Sequence, residues 1–323
     1  MAFMAKPPNM YRHNISSFGD YSLHELADEA AGNRLAIVPG FGACILALQL
    51  QGQSILDGYQ APTEMAINRW GKNTLLFPFP NRLKAGHYQW GGREYQFPVN
   101  DFQTGNALHG FGPANQAMEV SEVDIQPGQA RIRCTFRYDG HFSHYPFPFV
   151  FSFGLLLTNP GEVDITFSVL NEGRSAMPFG MGWHPYFQLS DTVDELSLEL
   201  PPCEMVGIGP AMTPTGKRYE YTTFTQLRRL GAEVLDNCFV LQQQSGRARI
   251  TLMGSKGRMQ YWQEAGPERF GFLQLFTPPH RRSLAIEPMS CNIDAFNNGE
   301  GLLRLESGQE ATARFGFVFE AKK

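Results

Sequence analysis

Charge of one sign is not concentrated anywhere in this sequence. Twenty-seven lysines and arginines face 31 aspartates and glutamates, a formal net charge of −4 over 323 residues. That excludes the electrostatic footprint of a nucleic-acid-binding protein. Long apolar runs are also missing. No stretch approaches the ~20 residues of a membrane-spanning helix, and the opening MAFMAKPPNMYRHN has no apolar core of signal-peptide length. Cysteine is sparse: Cys44, Cys134, Cys203, Cys238 and Cys291 are odd in number and far apart, with no CxxC pair. Neither a zinc ribbon nor a thioredoxin-like site fits that spacing, and buried thiols in a reducing compartment do. No fixed-period repeat, low-complexity tract or linker divides the chain. The expectation is one cytoplasmic domain over residues 1–323, with no nucleic-acid or membrane partner and no feature that specifies an oligomeric state.

Aromatics and turn formers are plentiful: 26 Phe, 11 Tyr and 4 Trp beside 33 Gly and 22 Pro. Both excesses favour strands joined by tight turns. Segments such as ARIRCTFRYD, FPFVFSFGLLLTN, VDITFSVLNEG and ATARFGFVFEA alternate with a period of two or run as short apolar blocks between turn signals. Their unbroken succession predicts an all-β sandwich or a larger relative of one. Only SLHELADEAAG (residues 22–32) and FTQLRRLGAEVL (residues 224–235) have the i, i+4 spacing of helices, each two or three turns long by that spacing.

Three stretches imitate functional motifs. GFGACI at residue 40 begins like a dinucleotide fingerprint, but Ile45 stands where the third glycine belongs and no helical pattern follows, so a strand turn is expected. His141 and His144 in HFSHYPF are three apart, which on a strand puts them on opposite faces, and the nearby proline opposes a helix. Satisfied surface histidines are expected there, not a metal site. His280, Arg281 and Arg282 in HRRSL read as a solvated basic loop with no glycine-rich cradle for phosphate.

Four other stretches share one character: FPFPNRLKAGHY around Arg82, NALHGFG around His109, MGWHPYFQL around His184 and SLAIEPMSCNIDAFNNGEG around Glu287. Each sets a polar residue among glycine, proline or aromatics, where a strand end or loop exposes it. Taken singly, a histidine among apolar residues is more often a hydrogen-bonded core residue than a catalyst. Their order is what carries weight. With NR, LHG and HPYF in that succession, and GFGACILALQLQGQSILDGY, LDNCFVL and LESGQEATARFGFVF around them, the chain resembles the aldose 1-epimerase (galactose mutarotase) family almost end to end.

The resemblance implies a large antiparallel β-supersandwich with a few short helices. It implies an acid at His184, a second active-site histidine at His109 and a catalytic glutamate at Glu287. It also implies sugar contacts at Arg82, with Asn81 beside it, and at Asp236. The chemistry suits these residue types. Anomers of a free aldohexose such as glucose or galactose interconvert when a base takes the C1 hydroxyl proton and an acid protonates the ring oxygen. An imidazole and a partly buried carboxylate can exchange those roles, with His109 and Arg82 stabilising charge on oxygen. No cofactor or metal is called for. Pro185 holds His184 extended, and Trp183, Tyr186 or Phe187 offers a flat face to the pyranose. Three alternatives stand beside this reading: a non-catalytic sugar binder on the same fold, a glycoside hydrolase or lyase using Glu287 with Asp236, and an epimerase of hexose 6-phosphates, for which Arg281 or Arg282 would supply the cation.

Overall fold

Period-two burial sets the layers of the molecule. The computed structural model describes residues 10–112 and 116–322. Along Phe149–Thr158, every second side chain, from Phe149 through Phe151, Phe153 and Leu155 to Leu157, is buried. Its antiparallel neighbours Gln129–Tyr138 and Glu162–Asn171 alternate in the same way. Each strand therefore commits one face to the interior, and a one-residue slip would turn the whole apolar set outward. These strands lie in a nine-stranded sheet that continues through Glu310–Ala321 and Gly257–Glu264 to a short edge strand at Arg228–Arg229.

An eight-stranded sheet includes Cys203–Ile208, Asp236–Leu241, Phe272–Phe276 and Leu284–Met289, and ends in the short strands around His184. A five-stranded sheet is built from the first five strands, Arg12–Phe18 to Gln53–Ser54. One continuous core joins the layers. Phe151, Phe167, Phe315 and Phe317 belong to the same cluster as Leu273, Leu275, Leu284 and Ile286. Trp183 packs on Phe315 with ring centroids 5.6 Å apart, so the eight-stranded sheet touches the nine-stranded one directly. This is the large antiparallel β-sandwich expected from the strand pattern and the resemblance.

The helix expectations are corrected. Residues 22–32 are not helical: Tyr21–Asp28 is a strand paired on both sides, to Arg12–Phe18 and to Asn33–Val38. Sheet pairing on two edges satisfies more backbone groups than a short helix would, and it overrides the local periodicity. Residues 224–235 form turns around the two-residue strand Arg228–Arg229, with Phe224, Leu230 and Leu235 buried as anchors. The α-helices observed are the short Pro62–Ile67 and Ala295–Asn298. Among the described residues no helix is long and apolar enough to cross a membrane. All five cysteines are buried and unpaired.

Candidate active site

One face of the eight-stranded sheet supplies the floor of the site. Every residue of Leu284–Met289 is buried, yet Leu284 and Ile286 enter the core, so alternation sends Glu287 to the opposite face. Gln274 lies opposite Glu287 across the ladder, Phe276 follows two residues later on the same face, and Asp236 lies opposite Phe276 on the next strand. Register alone thus gathers a glutamate, a glutamine, an aromatic ring and an aspartate.

His184 enters at the end of that sheet. Its backbone N–H donates to the Thr74 carbonyl at 3.0 Å, and its carbonyl accepts from the Asn73 N–H at 2.9 Å, so the residue is held from both sides. Trp183 points the other way, fully buried, its indole donating to the Asn73 carbonyl. Phe187 is likewise in the core, so neither forms the aromatic face expected of them. Tyr186 does line the cavity. Its ring stacks on His184 with centroids 4.7 Å apart, and its hydroxyl donates to the Trp70 carbonyl at 2.9 Å.

The NR and LHG segments close the other wall. Asn81 Nδ2 donates to Gln274 Oε1 at 3.4 Å, and Gln274 Nε2 donates to Asp236 Oδ1 at 2.9 Å, a chain of amides ending on the aspartate. Arg82 is held by Asp101, which accepts from its Nε at 2.9 Å. His109 has a left-handed backbone with φ of 65°. Its Nδ1 donates to the Pro80 carbonyl at 2.6 Å. A carbonyl only accepts, so in the neutral ring Nδ1 carries the hydrogen and Nε2 presents a lone pair. Gly110 follows at φ 54°, and a Cβ there would stand 2.4 Å from the Phe77 carbonyl oxygen. That contact explains the glycine of the LHG triplet.

These walls enclose a cavity of about 340 Å³. Asn81, Arg82, His109, His184, Tyr186, Asp236 and Glu287 all line it, so the expected acid–base and sugar-contact residues converge on one place. Trp70, Gln274, Phe276, Asn68, Arg69 and Asn100 line it as well and were not anticipated. Only Gln274 left a trace in the sequence, as the single polar residue inside the buried strand FLQLF.

Arg281 and Arg282 do not line the cavity. Arg281 pairs with Asp194 and donates to the carbonyls of Gly231 and Glu233, which corrects its reading as solvated; Arg282 is exposed. His141 bonds Asp139, and His144 stacks on Phe142 with centroids 4.8 Å apart. Among the described residues no group of three metal-ligating side chains is found.

Electrostatics single out one pair. His184 Nε2 lies 3.4 Å from Glu287 Oε1, and His184 Nδ1 is buried without a partner. Burial, reinforced by the neighbouring His109, pushes the His184 imidazolium well below its usual range. Burial, reinforced by Asp236 and opposed by Arg82, holds the Glu287 carboxyl well above its own. Burial also raises Asp236, against Arg82 and the Gln274 hydrogen bond, and pushes His109 down to about 4. Burial of both groups therefore favours a protonated Glu287 beside a neutral His184, one proton within reach of two groups.

A mutarotase-like β-sandwich, with a cavity that gathers ionisable and amide side chains among aromatics on one face of a sheet, is the class that fold and site define. The architecture matches a galactose mutarotase-like protein from Clostridium acetobutylicum at a TM-score of 0.85, covering 98% of this chain and 100% of that one at 19% identity. It also matches galactose 1-epimerase from Lactobacillus acidophilus NCFM at 0.82, covering 97% and 99% at 17% identity. By sequence the chain is 30% identical over 304 residues to the uncharacterized protein YihR of Escherichia coli (strain K12), covering 91% of this chain and 92% of that protein. The chain belongs to the aldose 1-epimerase family, whose pattern it matches over residues 25–317.

Proposed function

We propose that the protein is an aldose 1-epimerase that interconverts the α and β anomers of a free aldohexose, with residues 1–323 acting as a single catalytic domain. The observation that carries this reading is the buried Glu287–His184 pair, 3.4 Å apart at the floor of a monosaccharide-scale cavity.

The reactive one-proton form of the pair in the cyclic-sugar complex is the minor, ionised one, Glu287 carboxylate and His184 imidazolium. Glu287 accepts the proton of the C1 hydroxyl while His184 donates to the ring oxygen. The C1–ring-oxygen bond breaks and the aldehyde forms. After rotation about C1–C2 the C5 hydroxyl adds to the other face of the carbonyl. His184 then recovers its proton from that hydroxyl, and Glu287 returns one to O1. Opening leaves Glu287 protonated and His184 neutral, the distribution that burial favours. Desolvation of the pair thus works in the direction of ring opening. Arg82 and the neutral His109 hold hydroxyls and developing negative charge, and Asn81, Gln274 and Asp236 fix the sugar's orientation. Tyr186 braces the His184 ring.

Polarimetry of freshly dissolved α-glucose and α-galactose tests this. His184→Ala and Glu287→Gln should each lose ~10²–10⁴-fold in catalysed rate, the range for one general acid or base. Retention of near-wild-type rates by either variant on every aldose contradicts the assignment. Release of reducing ends from oligosaccharides would favour a hydrolase instead.

A further inference from the structure

Among the described residues four buried side-chain polar atoms have no hydrogen-bond partner, and two of them, His184 Nδ1 and Thr74 Oγ1, belong to residues that line the cavity. Buried polar atoms in native proteins are nearly always paired, so two orphans in one site point to each other.

The proposed chemistry makes His184 Nδ1 the more demanding of the two. When Glu287 is protonated, its hydroxyl can donate to His184 Nε2 only if that nitrogen presents a lone pair, and the neutral ring then carries its hydrogen on Nδ1. The imidazolium carries a hydrogen on each nitrogen. Once Nε2 has given its proton to the ring oxygen, Nδ1 again holds the one that remains. Nδ1–H therefore persists through the whole cycle and needs an acceptor throughout. His109 meets the same need with the Pro80 carbonyl, 2.6 Å from its Nδ1.

Thr74 stands directly across from His184. Gly182 pairs with Leu76 and Trp183 with Leu75, which makes Thr74 the next residue opposite His184. The His184 N–H donates to the Thr74 carbonyl at 3.0 Å. Leu75 and Trp183 both enter the core, so alternation turns Thr74 and His184 together toward the cavity. Directly opposed residues hold their Cβ atoms about 4.5–5.5 Å apart. That spacing brings a γ-oxygen and a δ-nitrogen within range of one hydrogen bond or a single-water bridge. The orientation of the ring agrees. Burial, and then His109, lower the His184 pKa, and its own backbone opposes them. Of the two ring nitrogens only Nδ1 reaches the residue's own carbonyl, and that carbonyl points at Asn73, whose N–H it accepts at 2.9 Å. Nδ1 thus faces the Asn73–Thr74 side.

The two chain segments are fixed against each other. Asn73 Nδ2 donates to the Ile45 carbonyl at 2.8 Å, while its Oδ1 accepts from the Tyr186 N–H at 3.3 Å. The Asn73 carbonyl accepts from the Trp183 indole at 3.1 Å. A residue held at φ of 58° by that many bonds sets the position of the next one, Thr74.

We infer that Thr74 is a positioning residue whose hydroxyl accepts from His184 Nδ1–H, fixing the neutral tautomer that leaves Nε2 free for Glu287 and the ring oxygen. The hydrogen bond stands on geometry alone, and its effect on rate rests on the epimerase reading.

The test pairs NMR with kinetics on the full chain. In protein labelled with nitrogen-15 at histidine, the ring signals of His184, assigned by their loss in His184→Asn, should report the Nδ1–H form at neutral pH. Thr74→Val keeps the shape and removes the hydroxyl. It should populate the Nε2–H form and lower kcat for anomer exchange of glucose or galactose about tenfold or more, the scale of one buried hydrogen bond, with KM changed less. Thr74→Ser keeps the hydroxyl and should restore both. Thr74→Ala gives the same readout if the valine variant does not fold. An Nε2–H form in the wild type, or an Nδ1–H form that survives loss of the hydroxyl, overturns the inference, and so does a loss of kcat that Thr74→Ser shares in full. A shifted tautomer with kcat intact overturns the positioning role. Each of these leaves the epimerase reading standing. If the wild type exchanges the anomers of no aldose while the tautomer still shifts in Thr74→Val, the epimerase reading falls and the hydrogen bond remains.

Discussion

At the scale of single residues the proposed chemistry depends on how many protons Glu287 and His184 hold together. One proton in total supports catalysis. A second, entering as pH falls, leaves Glu287 unable to accept from O1. Burial depresses His184, so that second proton enters well below pH 6.5. Burial raises Glu287, so the shared proton is kept well above the ordinary carboxylate range. The profile of kcat/KM between about pH 4 and 8, corrected for spontaneous mutarotation, should place its acid limb clearly below the unperturbed imidazole value of ~6.5. A limb centred at or above that value would mean that His184 is solvated or is not the group titrating. The residues of this machinery were legible because each sits in a motif: Arg82 after Asn81, His109 before Gly110, His184 before Pro185. Trp70, Phe276 and Arg69 stand in no such context. What recruits them is the pair of turns that follows Pro62–Ile67 and the register of Phe272–Phe276, which are tertiary facts.

At the scale of elements, strands Phe272–Phe276 and Leu284–Met289 act as one device. Their register sets Gln274 beside Glu287, and Gln274 ties Asn81 on one wall to Asp236 on the floor. Gln274→Leu fills a similar volume but strands both partners. Leaving a buried polar partner unsatisfied costs about 1–3 kcal/mol, so KM should rise about tenfold or more while kcat changes less. Steady-state polarimetry across substrate concentrations separates the two. A collapse of kcat with KM unchanged would place Gln274 in the chemical step instead. Strand existence was readable from alternation, as in Phe149–Thr158. Helices were misjudged for a physical reason. Leu26 and Asp28 are buried and Glu25 and Ala27 only partly so, and this strand alternation within SLHELADEAAG coexists with an i, i+4 pattern. Pairing to two neighbouring strands decides between them.

At the scale of the whole molecule, the main core and the cavity lie on opposite faces of the eight-stranded sheet, so stability and chemistry should separate for residues of that core. Phe153 is fully buried and packs edge-on against Phe167, centroids 5.8 Å apart, and it does not line the cavity. Phe153→Ala should cost about 3–5 kcal/mol, read as a lower urea midpoint, with KM for the sugar unchanged. A matching rise in KM would show the two to be coupled. Strand order was not legible in the sequence. Glu310–Ala321 completes the nine-stranded sheet between Glu162–Asn171 and Gly257–Glu264, and no local pattern announces a partner so distant along the chain. The most direct test of the account is a structure of the protein with an aldose bound in the cavity. It should place the anomeric hydroxyl within hydrogen-bond distance of a Glu287 oxygen and the ring oxygen within that distance of His184 Nε2. A sugar bound with C1 away from Glu287, or with its ring oxygen facing any group other than His184, would contradict it.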